Sequence, residues 1–214
     1  MKRRAEGLRI KHRAGKNTVK MYNKEPTVLR VETTLNDGRG LKVFRHQHDD
    51  PDGPRQWLDL RKTVQDLPRR AELSQASNDR YLEALSAVSE DAPLSSLTDK
   101  LCRAVEVNGR RHRGLRPFDV EDVQLLETIS RGEYLVSGLR NRDVRESLYG
   151  STEDALERRR QASRVSRKIA MLRAQGLLKK VPRTHRYLLT ESGVTAITAI
   201  LAARKASISQ LAAA

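Results

Sequence analysis

Residues 155–175, ALERRRQASRVSRKIAMLRAQ, run through Gly176 into Leu177-Leu178-Lys179-Lys180-Val181, Pro182-Arg183-Thr184-His185 and Arg186-Tyr187-Leu188-Leu189-Thr190. On a helical wheel Ala162, Val165, Ile169 and Leu172 gather within about a third of the circumference, the stripe with which a helix docks on a core. Arg160, Ser163, Arg164 and Arg167 point the other way. After Glu157 the helix contains no acid at all, so these arginines lack the i, i+4 partners that a merely solvated face would carry. Gly176 stops the helix, and two short apolar segments flank a basic tip, the pattern of a two-stranded ribbon.

The charge of the whole chain agrees with that local reading. Its 214 residues hold 42 Lys and Arg against 27 Asp and Glu, a formal charge of +15 and a pI near 10.4. From Gly109 onward there are 21 basic and 11 acidic residues, against 21 and 16 before it, so the excess is concentrated in the C-terminal half. A balance of this size points to a polyanionic partner.

Working outward, the C-terminal half is well punctuated. Asp119 with Asp122 forms a capping pair that opens a helix through Val123, Leu126 and Ile129, ended by Gly132. Asn141 is placed to cap a short helix, Arg142 to Tyr149, stopped by Gly150, and Ser151 or Thr152 to cap the arginine-rich one. After the ribbon, Thr190 to Ser192 starts a last helix with Ile197, Ile200, Leu201 and Ile208 on one stripe. Upstream, Asn108-Gly109 makes Ala104–Val107 and Arg110–Arg113 either a type I′ hairpin or an extended linker, and a domain boundary is expected there.

The N-terminal half alternates with period two. Leu8, Ile10 and His12, then Val19 and Met21, then Leu29, Val31, Thr33 and Leu35 read as strands, separated by Ala14-Gly15-Lys16-Asn17 and by Pro26. Leu41 to His46 is expected to complete four. A helix from Arg69 to Val88, with Leu73, Ala76, Tyr81, Leu82, Leu85 and Val88 in its stripe, is expected to cover the sheet. Residues 46–54 read as a surface loop, and Trp57, Leu58, Leu60 and Val64 as a shorter helix. With only 37% hydrophobic and 4% aromatic residues, two modest domains fit better than one large core. The class expected is α+β: a small antiparallel sheet packed on helices (residues 1–108, the remainder of a longer protein being one reading), followed by a mostly helical domain (109–214).

Over Pro117 to about Ser207 the order helix, helix, helix, strand, strand, helix, with "LRAQGLLKKV", the tip "PRTH" and "RYLLTESG", resembles the winged-helix domain of bacterial repressors of the MarR and related classes and of replication initiators. The resemblance implies a duplex DNA partner, a recognition helix ending at Gln175 and a wing at the tip. Arginine can hold a phosphate or take guanine O6 and N7 in two parallel hydrogen bonds within the major groove. The residues expected at DNA are Arg160, Ser163, Arg164 and Arg167, with Arg159 and Lys168 as flanking phosphate contacts, and Arg183, Thr184, His185 and Arg186 from the wing. The function expected is that of a bacterial or phage transcription regulator or replication and mobile-element factor. The N-terminal sheet is assigned to oligomerisation, as a homodimer, or to extra contacts.

Two alternatives come from elsewhere in the sequence. Lys20-Met21-Tyr22-Asn23-Lys24 with Leu29-Arg30-Val31-Glu32 faintly resembles a strand pair of rolling-circle replication initiators, which implies a metal-dependent nicking tyrosine. The departure is His46-Gln47-His48, which lacks the hydrophobic centre of the family's histidine pair; Glu32 with His46 or His48 is the only ligand set on offer. The other alternative is a nucleic-acid-binding scaffold using the basic stretch Arg110 to Arg116. No phosphate-cradling glycine loop, His-Glu-x-x-His or Gly-x-Ser-x-Gly is present, so no enzyme is assigned and no cofactor is expected. His185 has no second ligand at metal spacing. Cys102 is the only cysteine, which excludes an internal disulfide and a thiolate zinc cluster. No apolar run approaches a membrane span, and a cytoplasmic setting is expected.

Overall fold

A computed structural model describes residues 2–4, 7–25, 28–86, 93–207 and 209. It combines helices with small antiparallel sheets, the α+β class expected. The chain divides into two compact units. The first contains Met1–Leu82, Gly132–Gly138 and Val181–His185, and the second Glu83–Arg131, Leu139–Lys180 and Arg186–Ala214. The boundary expected at Gly109 falls inside the second unit, at the turn of a hairpin. Pro26, Val88 and Ile208, each given a part in the expected pattern, lie outside the described residues, as does the side chain of Leu8.

In the first unit β1 (Lys2–Arg4), β2 (Gly7–Ala14), β3 (Asn17–Glu25) and β4 (Val28–Thr34) form an antiparallel meander. The strands pair in the register His12 to Val19 and Val19 to Thr33, and Ile10 to Met21 and Met21 to Val31. Alternation then puts Val19 and Met21 on the buried face and the charged residues between them on the other. The fourth strand is the basic N-terminal segment, not Leu41–His46. That stretch forms β5 (Lys42–Arg45) and leaves the meander to pair with β6 (Gln56–Asp59), so the helix expected over Trp57–Val64 is a strand followed by a short 3-10 turn, Val64–Asp66. Four apolar residues in eight fit either period, and pairing with β5 decides the outcome.

A buried ion pair fastens this corner: Arg45 Nε lies 2.9 Å from Asp66 Oδ1, and the Arg61 amide donates to Asp66 Oδ2 at 2.7 Å. The helix α1 (Leu67–Ser86) begins there, as expected, but with a thinner stripe. Tyr81 is buried, whereas Leu82 and Leu85 are exposed. Polar contacts do much of the docking: Arg70 donates to the Leu35 and Arg61 carbonyls and Thr33 to Asn78 Oδ1. A helix missed by sequence, α4 (Glu133–Ser137), also packs on β2 and β3. Arg80 donates to its Leu135 and Val136 carbonyls, and Gly132 sits so close to the His12 ring that a Cβ has no room.

The second unit comprises α2 (Leu94–Leu101), the hairpin β7 (Val105–Val107) and β8 (Arg110–His112), α3 (Val120–Ile129), α5 (Asn141–Tyr149), α6 (Ala155–Ala174), β9 (Leu178–Lys180), β10 (Tyr187–Leu189) and α7 (Glu191–Lys205). Asn108 and Gly109 both have positive φ, 52° and 71°, as a type I′ turn requires, so the hairpin and not the linker forms. Leu115, Leu125, Leu126, Ile129, Val144, Val165, Leu172 and Ile197 are essentially inaccessible and make the core. Each contributes on the order of 2 kcal/mol by its removal from water.

The helix ends follow the expected chemistry, with three corrections. Gly132 does not end α3, which closes at Ser130; it stands at the start of α4. Asp119 accepts from the Asp122 amide and Thr190 from the Gly193 amide, while Gly150 and Gly176 stop α5 and α6 at φ of 76° and 78°. Asn141 does not cap α5. There Asp143 accepts from the Arg140 amide, and Asn141 Nδ2 instead donates at 2.9 Å to the Ala162 carbonyl and to Ser166 Oγ, tying α5 to α6. Ser151 and Thr152 do not cap α6 either; Asp154 accepts from the Leu156 amide at 2.8 Å, and the helix starts at Ala155.

Candidate nucleic-acid interface

The side of α6 that faces the core is set by Gln161, Val165, Ile169 and Leu172, all buried. The opposite side, by the 3.6-residue repeat, receives Arg159, Arg160, Ser163, Arg164 and Arg167, all exposed. Arg158, near the start of the helix, is also exposed. None of Arg158, Arg159, Arg164 and Arg167 forms an ion pair with a described residue, and Arg160 has only Glu157 at 3.9 Å. Such a row of neighbouring guanidinium groups repels itself in water, and phosphate groups placed along it would relieve that repulsion. The Asn141 clamp holds the helix from one side, since Ser166 lies one turn from Ser163 and about two turns from Arg159 and Arg160.

Lys168 belongs elsewhere. Its side chain is only 11% exposed, with Nζ 3.1 Å from Glu121 Oε2 and 3.7 Å from Asp122 Oδ1. The reason is a wholly buried carboxylate at Asp122, held by both Arg113 guanidinium nitrogens and by the Arg116 amide. Burial alone would raise the Asp122 pKa, but the Arg113 hydrogen bonds, the Arg116 amide and the charges of Arg113 and Lys168 outweigh it and hold the carboxyl below its ordinary value. Lys168 and Arg113 are therefore structural cations.

The hairpin adds residues that the helix alone could not suggest. A cavity of about 420 Å³ between β7–β8 and the C-terminal half of α6 is lined by Arg110 and His112 on one side and by Ala170, Arg173 and Ala174 on the other. The small side chains at 170 and 174 leave it open, and Arg173 lies over the Tyr187 ring at 5.9 Å. The only sequence signal was the run Arg110-Arg111-His112-Arg113, whose placement depends on the hairpin docking on α6.

The tip residues Val181–His185 belong to the first unit and are described there. Arg183 adopts a left-handed backbone, φ 58°, and its guanidinium lies 4.8 Å from the centre of the Trp57 ring, a cation–π contact. Thr184 Oγ1 donates to the Val181 carbonyl, closing the turn, and His185 is exposed. Arg186 returns to the second unit and is half-buried. The ten residues expected at DNA thus divide into a helical set, of which five are exposed on one face and Lys168 is not, and a tip set with separate surroundings.

Tyr22 and Glu32 do come together, in the first unit. Tyr22 Oη donates to Glu32 Oε1 at 2.7 Å, while Lys20 and Arg30 each approach the same carboxylate at 2.9 Å. The hydrogen bond to Glu32 raises the Tyr22 pKa, and those from Lys20 and Tyr22 lower that of Glu32. His46 is engaged at both nitrogens, Nδ1 at 2.6 Å from the Gly53 carbonyl and Nε2 accepting from Arg55 at 3.0 Å. Among the described residues no group of three or more His, Cys, Asp or Glu side chains gathers as metal ligands, and no helix is long and apolar enough to cross a membrane. Compared with models of known protein families, with curated proteins and with solved structures, the chain matches none.

Proposed function

We propose that this protein binds duplex DNA through α6, in the manner of a winged helix. The observation that carries the reading is the exposed face Arg159, Arg160, Ser163, Arg164 and Arg167, in which only Arg160 has a carboxylate among the described residues, Glu157 at 3.9 Å, on a helix fixed to the core by its other side. An α-helix fits the major groove, where arginine can contact phosphate or pair with guanine. Arg110 and His112 of the hairpin, with Arg173 in the last turn of α6, supply further phosphate contacts. Phosphate neutralisation provides most of the affinity, and side chains such as Ser163 and Arg164 provide the reading of base edges. A regulator and a replication factor are two uses of this same contact, both in the cytoplasm where the DNA is.

Selection from pooled random duplexes by gel shift, followed by sequencing of the bound fraction, tests this. Bound duplexes and an enriched sequence are expected. The variant R164A/R167A should lose about 10- to 100-fold in affinity with an unchanged circular dichroism spectrum. Full retention of binding by that variant would contradict the proposal.

A further inference from the structure

The outer face of the N-terminal sheet carries a second cationic surface that the α6 reading does not use. Arg9, Lys11 and Arg13 occupy alternate positions of β2, so they project from one face in a row with steps of about 6.7 Å. Lys11 stands directly opposite Lys20 on β3. Like charges in a cross-strand pair oppose sheet formation; Glu32 neutralises Lys20, and Lys11 has no ion-pair partner among the described residues. The turn adds Lys16, and a cavity of about 500 Å³ opens on this face, lined by Lys11, Arg13, Lys16, Lys20, Thr18 and Thr34.

The nearby acids are already committed. Glu32 lies on the same row as Lys11 and Lys20 but is held by Lys20, Arg30 and Tyr22. Asp37 is held by the Arg39 guanidinium through both carboxylate oxygens. Lys11, Arg13 and Lys16 are exposed and form no ion pair with a described residue. Thr18 and Thr34 put hydroxyl groups among them, which can donate to phosphate oxygens.

We infer that this sheet face is a second nucleic-acid contact, in which Lys11, Arg13 and Lys16 hold phosphates of a sugar–phosphate backbone. The row along β2 suits an extended, repeating anion, because cations recur at a spacing comparable to that of successive phosphates along a strand. Phosphate contacts of this kind position a nucleic acid without reading its sequence.

The test uses the full chain. In the R164A/R167A background, amide chemical shifts are followed while a short mixed-sequence duplex is added. Lys11, Arg13, Lys16, Thr18 and Thr34 are expected to shift. In the otherwise wild-type chain, K11Q/R13Q/K16Q should weaken duplex binding about tenfold and reduce the slope of log affinity against log salt by up to about 3. Sheet amides that stay still at saturating duplex, or that move only with millimolar inorganic phosphate, would overturn the assignment to a nucleic-acid backbone. Binding that survives R164A/R167A intact but is lost in the sheet variant would sink the α6 proposal and leave this one standing; the reverse pattern would do the opposite.

Discussion

The free face of α6 and the outer face of the N-terminal sheet carry similar cations but treat their counter-charge differently. On the sheet a single carboxylate, Glu32, sits within the array and gathers Lys20, Arg30 and the Tyr22 hydroxyl around itself. On α6 the only acid, Glu157, lies in the first turn and reaches Arg160 alone, while Arg159, Arg164 and Arg167 form no ion pair with a described residue. The contrast is sharper still between neighbours on α6. Arg167 is exposed and unpaired, whereas Lys168, one step of 100° around the helix, is drawn onto Glu121 and Asp122. Position relative to a buried carboxylate, more than residue type, separates a structural cation from one available to a ligand.

The largest effect should come from inverting the α6 face. R164E/R167E is expected to weaken duplex binding about a thousandfold at low salt while leaving helix content unchanged, read by fluorescence anisotropy and circular dichroism. If binding falls no more than twofold, the unpaired arginines are not the contact.

Next, D122N would remove the charge that holds Arg113 and Lys168. Breaking a buried pair in this way should cost about 3 kcal/mol of stability in denaturant unfolding. The same carboxylate predicts an acid limb. Its folded pKa lies below the ordinary 3.8, so the unfolded chain takes up the proton first as pH falls. Its contribution is fully present above pH 3.8 and is lost as pH falls through the lowered folded value; D122N should lack that part of the pH dependence. A variant as stable as the wild type would mean that Asp122 does not organise this corner.

K168M should change duplex affinity by less than about twofold, although R167A next to it weakens binding, because Lys168 is already paired. Equal losses at both positions would erase the distinction drawn between them. Smallest of all, E32Q should free Lys20 and Arg30 and tighten binding at the sheet face about twofold at low salt, an effect that fades as salt screens it. Weaker binding would show that Glu32 is needed to hold the cations in place.

Much of this architecture was legible in the chain because it is written in local chemistry. Asp119, Thr190, Gly150, Gly176 and the pair Asn108-Gly109 set helix ends and a turn without reference to distant residues, and each acts as its type predicts. Local failures are confined to helix ends, such as Asp154 capping α6 in place of Ser151 or Thr152; the others involve partners far away in sequence. Whether residues 56–59 form a strand or part of a helix depends on pairing with residues 42–45, and the role of Asn141 depends on Ala162 and Ser166. The 3.6 repeat set Arg160, Ser163, Arg164 and Arg167 opposite the apolar stripe, and all four are exposed, as is the flanking Arg159. The other flanking residue, Lys168, is drawn inward, since its destination is set by Glu121, 47 residues earlier. The grouping of the tip with the first unit and the stacking of Arg183 on Trp57 likewise leave no periodic trace.

The salt dependence of duplex binding bears most directly on the central claim. Dissociation constants of the wild-type chain and of R159A/R160A/R164A/R167A would be measured between about 50 and 200 mM salt. The account predicts a steep loss of affinity for the wild type, and a slope shallower by about 3 to 4 for the variant, roughly one unit for each phosphate contact removed. Identical slopes for the two proteins would contradict it.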